Sequence, residues 1–210
     1  QPKTDVAPSE YGFARYSTRS LSFINRKKYL DTDVIPDLDY QMMSNIEVAG
    51  FYKGFGFQSE FIKDRTFRKN GKPALNFGGC YVQATYLLFG GKQFYNKAEG
   101  EFSQPYRGKK WGDIELAIRY DYIDLNDKTI YGGSAEGFTG GVNFYADKNV
   151  KFQLNYSYVN HDRYATGKGK LYTGYDVSGV LTKDPTKVAD ANGKAGEDFG
   201  MLGIRCEINF

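Results

Sequence analysis

The chain has 210 residues, with 18 Tyr, 16 Phe and 25 Gly against 6 Pro, and its mean hydropathy of −0.57 is low for so aromatic a composition. Its net charge of +3, from 28 basic and 25 acidic residues with no dense basic run, gives no sign of a nucleic-acid partner. The longest apolar run, Ala84-Thr85-Tyr86-Leu87-Leu88-Phe89, is far short of the about 18–20 residues a membrane helix needs, which excludes a helical membrane protein.

Residues 1–10 are polar, carry Pro2 and Pro8, and read as a lead-in. Tyr11 to Arg19 reads as a first strand, with Arg15, Ser17 and Arg19 on one face and Ala14, Tyr16 and Thr18 on the other. Residues 20–43 form a long connection with Arg26-Lys27-Lys28 and the acids Asp31, Asp33, Asp37 and Asp39. A second strand, about Asn45 to Tyr52, sets Ile46, Val48, Gly50 and Tyr52 on its apolar side. Lys53-Gly54 signals a tight turn into a third, about Phe55 to Asp64, with Phe55, Phe57 and Phe61 opposite Gln58 and Glu60.

A basic loop, 65–73, leads to a fourth strand, about Asn76 to Phe89, in which Cys80, Val82, Ala84, Tyr86 and Leu88 alternate with Tyr81, Gln83, Thr85 and Leu87. Residues 90–112 form a Gly- and Lys-bearing connection ending near Trp111. The fifth strand, Asp113 to about Asn126, has the cleanest alternation: Ile114, Leu116, Ile118, Tyr120 and Tyr122 against Glu115, Ala117, Arg119 and Asp121. After a connection over 127–135, a sixth strand runs from about Glu136 to Tyr145, and a short turn, 146–149, leads to the seventh, Val150 to about Asp162. There Val150, Phe152, Leu154, Tyr156 and Tyr158 oppose Lys151, Gln153, Asn155 and Ser157. Residues 163–197 are rich in Gly, Lys and Asp and read as a long loop. The last strand carries Leu202, Ile204, Cys206, Ile208 and Phe210 on one side and Met201, Gly203, Arg205, Glu207 and Asn209 on the other.

Eight period-2 strands in one phase predict an all-β, transmembrane antiparallel barrel over residues 11–210, apolar side to lipid and polar side to a lumen. If Phe210 ends on the periplasmic side, the turns at 53–54 and 146–149 share that side, and connections 20–43, 65–75, 127–135 and 163–197 lie outside. The connection 90–112 breaks this asymmetry. Cys80 and Cys206 fall in the outward phase of separate strands and read as small apolar residues, not a disulfide. No signal peptide is visible, so either Gln1 follows a cleavage site or the sequence is a fragment.

Several stretches resemble the phosphate-selective porins of the O/P type: Phe13 to Arg19, the Leu30-Asp-Thr-Asp33 loop, Glu47 to Phe61, Trp111 to Asn126, and Gly140 to Tyr156. The likeness runs in order along most of the chain, and the Trp111–Asn126 block followed by 140–156 is its most specific part. The resemblance implies the C-terminal half of a sixteen-stranded porin that trimerises in the bacterial outer membrane, in contact with lipid and lipopolysaccharide, and passes small anions such as phosphate without a cofactor. The strands that complete such a barrel lie in residues beyond this sequence or in a partner chain, or else the barrel is a reduced one.

By that resemblance Arg15 and Arg19 sit where the family places lumenal arginines; Arg119, Arg205 and Lys151 reach the lumen by phase. A guanidinium donates two hydrogen bonds to a phosphate and keeps its charge, and a basic ladder concentrates anions. Inward Glu47, Glu60, Glu115, Asp121 and Glu207 stand among these residues, so a second reading, in which Arg119 and Arg205 are wall residues paired to acids, stays open. His161 reads as a surface residue, and the acids of the 31–39 loop as solvated charge that matches no EF-hand spacing. No catalytic constellation, metal site or phosphate-cradling glycine motif is present. Two functions remain: a passive channel for small solutes, which needs more than eight strands for an aqueous bore, and a small barrel with a filled interior and partner-binding loops.

Overall fold

The computed structural model describes residues 12–21, 24, 27–167, 170–189 and 196–209, the side chains of 164–167 and 170 apart. The expected lead-in 1–10, Tyr11 and Phe210 lie outside them. Seven strands form one antiparallel sheet: β1 Leu38–Tyr52, β2 Phe55–Arg68, β3 Leu75–Leu87, β4 Asp113–Asp127, β5 Ile130–Tyr145, β6 Val150–His161 and β7 Asp198–Ile208. Each pairs with its neighbour in sequence, so the sheet is a meander with β1 and β7 at its edges. The pairing register holds every predicted phase: Ile46 faces Phe61, Phe61 faces Cys80, Cys80 faces Tyr122, and Phe152 lies between Phe144 and Cys206.

The first of the eight expected strands, Tyr11 to Arg19, contributes no described residue to this sheet. Only Ser17–Thr18 is extended there, and it pairs with Leu30–Asp31; Ala14 and Ile35 add a bridge. Residues 12–21 and 27–37 instead lie over one end of the sheet's inner face. Leu30 and Ile35 bury completely against Leu75, Phe77, Leu125, Ala135 and Val159, with Tyr16 packed alongside. Alternation in Ala14, Tyr16 and Thr18 reflects that contact and not a wall position.

A second departure is the connection after β4. β4 and β5 run on to Asp127 and Ile130, leaving Lys128-Thr129 as a two-residue turn with Lys128 at φ 54°. Gly132 and Gly133, which the sequence places in a loop, sit within β5. A Cβ on Gly132 would stand 2.7 Å from the Leu125 carbonyl and from Thr32, and Gly133 has φ 96° and Leu30 equally close. These glycines admit the inserted segment against the sheet. The turn at Lys53-Gly54 forms as expected, with Tyr52 paired to Phe55.

The outer face is apolar and exposed. Ile46, Ile118 and Ile204 are 69, 67 and 80% exposed. At one end Phe89 meets Trp111 edge-on at 4.9 Å, Trp111 meets Phe144 at 6.3 Å, and Phe144 stacks on Phe152. An exposed apolar surface of this extent has no place on a water-soluble monomer. No helix among the described residues is long and apolar enough to cross a membrane, and the strands of 11–16 residues meet the about 9–11 that a tilted spanning strand needs.

Residues 88–112 fold as a hairpin, Lys92–Asn96 with Glu101–Tyr106, whose base is gathered by one side chain. Asp113 is fully buried, and its carboxylate accepts from the backbone amides of Phe89, Gly91, Gly108 and Ile114 at 2.8–3.0 Å. Asp113→Ala leaves those donors without their acceptor and should cost about 3 kcal/mol. A lower guanidinium midpoint in detergent, together with faster tryptic cleavage at Arg107 to Lys110, is the expected result; an unchanged midpoint would remove this anchor from the account.

Candidate functional site

The inner face of the sheet is built of polar residues that satisfy one another across strands. At mid-height a chain of contacts crosses β1 to β4. Gln58 donates to Glu47 at 2.7 Å, Gln83 donates to Gln58 at 3.0 Å, and Arg119 donates to Gln83 at 3.0 Å. Arg119 also grips Asp121, two residues on, with Nε 2.9 Å from both carboxylate oxygens and Nη2 2.6 Å from Oδ1. Its guanidinium lies over the Tyr81 ring, 3.9 Å from the centroid. Further along, Thr139 and Ser157 share a hydrogen bond of 2.8 Å.

Towards the 146–149 turn, Glu115 is buried and accepts from Gln93, Asn143 and Tyr145 at 2.7–2.9 Å, all neutral donors. Gln93 comes from the 88–112 hairpin and also donates to Thr85 and the Gly54 carbonyl. Phe51, on the inner side of β1, packs edge-on against Phe102 of the same hairpin. The hairpin therefore closes against the inner face at this end. Beside it Lys151 and Arg205 share one carboxylate: Glu207 lies 3.3 Å from Lys151 Nζ and 2.9 Å from Arg205 Nη2. The Arg205 side chain is 67% exposed.

At the other end the inserted segment is held by polar contacts as well as its apolar core. Arg15 donates from Nε to Asp31 at 2.7 Å and pairs with it again through Nη2, with Asp33 at 3.8 Å. Asp31 is thus buried, not solvated as its loop position suggests. The Tyr16 hydroxyl donates to Asp64 at 2.9 Å and contacts Thr66 at 2.7 Å. Gln41 donates to Tyr16 and to Asp64. His161 is likewise buried, contrary to a surface position: it stacks at 4.7 Å on Tyr29, and its Nδ1 lies 3.0 Å from the Glu197 carbonyl. Arg163, which sequence reasoning does not single out, is buried, with Asp162 at 3.2 Å and Asn126 accepting at 3.2 Å.

The five basic residues expected in the lumen therefore fall in separate places. Arg119, Arg205 and Lys151 lie on the inner face of the sheet, the first apart from the other two. Arg15 anchors the inserted segment. Arg19 lies on that segment, exposed, and forms no ion pair among the described residues. They form no continuous ladder. Both cysteines are free and unpaired with each other, and no group of three metal-ligating side chains occurs among the described residues. Gln93, Asp113 and the Tyr16–Asp64 network leave no local mark in the sequence, because each depends on at least one partner 22–50 positions away.

Burial, and then the nearby Asp64 charge, push the Tyr16 phenol above its ordinary value near 10, with the Thr66 contact opposing them. The folded chain thus holds its proton after the unfolded chain has released it, so stability is untouched at neutral pH and falls as pH rises past about 10. The denaturation midpoint of the wild type should drop more steeply between pH 9 and 11 than that of Tyr16→Phe. Equal slopes would mean that this phenol does not carry the effect.

A sequence model of the family described as phosphate-selective porin O and P matches residues 13–179. A protein of Caulobacter vibrioides, described as uncharacterized, is 27% identical over 154 residues. That alignment takes in 70% of this chain and 30% of the relative, so the chain spans less than a third of that protein's length.

Proposed function

The chain belongs to the phosphate-selective porin O and P family, and from that premise we propose that it forms part of the wall of a water-filled outer-membrane channel through which small solutes diffuse passively. The family is one of channels, not of enzymes. The observation that carries the reading is the inverted distribution of side chains: one sheet face exposes Ile, Val, Leu and aromatic residues, while the opposite face holds Gln, Asn, Glu, Arg and Lys in mutual contact. Lipid suits the first face and water the second. A small barrel with a filled interior fits less well, because among the described residues the polar inner face is covered at its two ends, by the inserted segment and by the hairpin.

For the solute, the proposal is a small anion, phosphate or one of similar chemistry. Support comes from Lys151 and Arg205, two cations that share the single Glu207, with the Arg205 side chain largely exposed; Glu101 and Glu115 line the adjoining space and offset part of that charge. Arg19 on the inserted segment offers a further unpaired guanidinium among the described residues. Arg119 and Arg15 are assigned positioning roles, since Asp121 and Asp31 match their charges. Such sites must hold an anion weakly to let it leave, and a cation pair half-neutralised by one carboxylate meets that need. Homotrimeric assembly within lipid and lipopolysaccharide rests on family membership and belongs to the same proposal.

In planar bilayers the full-length protein should conduct, and Glu207→Gln should raise the anion-over-cation permeability ratio roughly twofold by releasing both cations. Reversal potentials across a KCl gradient measure this. Absence of any conductance sinks the channel, whereas conductance with an unchanged reversal potential sinks only the assignment to anions. Ile204→Lys, with its charge directed to the lipid side, should cost about 2–4 kcal/mol of stability in bilayers if that position lies near the midplane; a neutral effect on unfolding in lipid vesicles would argue that this face does not meet lipid.

A further inference from the structure

Under the inserted segment, against the inner face of β2 to β6, lies a cavity of about 390 Å³. Ile62, Phe77, Ile123 and Val159 line it from the sheet, and Tyr16 and Leu21 line it from the segment. Its surface is mostly apolar. Four acidic residues line it, Glu60, Asp64, Asp121 and Glu136, and no Lys, Arg or His is among its described lining residues.

The four carboxylates are not equally available: Glu136 accepts from the Tyr120 hydroxyl at 3.4 Å and from Asn160 at 3.5 Å. Asp121 is held by Arg119 through three contacts of 2.6–2.9 Å. Asp64 takes hydrogen bonds from Tyr16, Gln41 and Thr66. Glu60 accepts one bond, from Asn45 at 3.2 Å, and forms no ion pair among the described residues. Its charge is left beside an apolar volume, where a counter-ion gains more than it would in bulk water. The Ser20 hydroxyl, also in the cavity lining, is buried with no hydrogen-bond partner among the described residues.

We propose that this cavity is a subsite for an amphipathic organic cation, an amine whose ammonium group pairs with Glu60 while its aromatic or aliphatic body fills the space between Ile62, Phe77, Ile123 and Val159. The Ser20 hydroxyl accepts from, or donates to, a polar atom on the same molecule. The volume suits a small molecule with one ring. Phosphate is disfavoured, because it would be desolvated beside these carboxylates with no cation in the described lining to meet it. The inference rests on the channel reading for the route by which an amine arrives, but not for the binding itself.

The test is calorimetric titration of phenethylamine into the full chain in detergent micelles, with empty-micelle blanks subtracted. 2-Phenylethanol and 3-phenylpropionate serve as neutral and anionic probes of matched body. Phenethylamine should bind at least tenfold more tightly than either. Glu60→Gln should bring it down to the affinity of the alcohol and leave the alcohol unchanged. Gly137→Val should weaken both: Gly137 lines the cavity, and a Cβ there meets Leu21, Tyr158 and Asp121 only at 3.4–3.9 Å, so the larger side chain fills space without a backbone clash.

Heat-modifiable mobility on gels confirms that each variant is folded. Equal binding of the three probes, or an amine affinity that neither variant alters, overturns the proposal. Bilayer conductance run in parallel separates the two readings. A conducting protein that does not prefer the amine loses the subsite alone; a non-conducting protein that binds the amine through Glu60 keeps the subsite and loses the channel.

Discussion

Side chains on one side of this sheet are apolar and exposed, and those on the other are polar and partnered, and this inversion removes the usual source of stability. A soluble sheet buries its apolar side in a core and hydrates its polar side. Here the apolar side carries Ile118 and Ile204 with most of their surface open, so it must be satisfied from outside the chain. The polar side must then satisfy itself. That requirement explains why Gln58, Gln83 and Arg119 stand in register on three neighbouring strands, and why Gln93 is brought in from another element to reach Glu115. Neutral amides bridging the charged residues fix a polar wall and satisfy a buried carboxylate such as Glu115 by hydrogen bonds alone.

Conventional packing survives in one place. Leu30 and Ile35 meet Leu75, Phe77, Leu125, Ala135 and Val159 at one end of the inner face, and that small core holds the inserted segment in position. Gly132 and Gly133 leave the room it needs, and Arg15–Asp31 and Tyr16–Asp64 fix its polar edge. At the opposite end the 88–112 hairpin depends on Asp113, whose one carboxylate gathers four amides. Both ends of the inner face are thus covered by chain that is not wall. The open stretch between them is where the Arg119 row lies.

Strand positions are readable because a period of two, repeated over ten or more residues, is hard to imitate by chance, and register follows from it once one face is fixed. Seven of eight expected strands take their places for that reason. Tyr11–Arg19 misleads because a short ribbon packed on a core shows the same alternation as a wall strand, and only its length of two paired residues tells them apart. Gly132-Gly133 misleads because glycine signals both turns and close approach, and the approaching residues are about 100 positions away in sequence. His161 and Asp31 read as solvated because they sit at loop junctions; Tyr29 and Arg15, which cover them, are not neighbours in sequence. The inner-face arginines are found by phase, yet phase says nothing of partners, and partners decide what an arginine does.

That last distinction governs how the inner face should treat ions. Counting basic side chains suggests a ladder, but Arg119 and Arg15 each meet a carboxylate with hydrogen-bonding geometry that leaves their charge largely matched. What acts at a distance is the uncompensated remainder. Lys151 and Arg205 share Glu207, with Glu101 and Glu115 lining the adjoining space, while Glu60 has one neutral donor and no ion pair among the described residues. The cations of this face are gathered at the end near the 146–149 turn, and the face is apolar, with no basic residue in the described lining, under the inserted segment. On the proposed channel reading these are two sites that differ in kind and not only in depth. Selectivity on such a wall follows from the placement of carboxylates as much as from that of arginines.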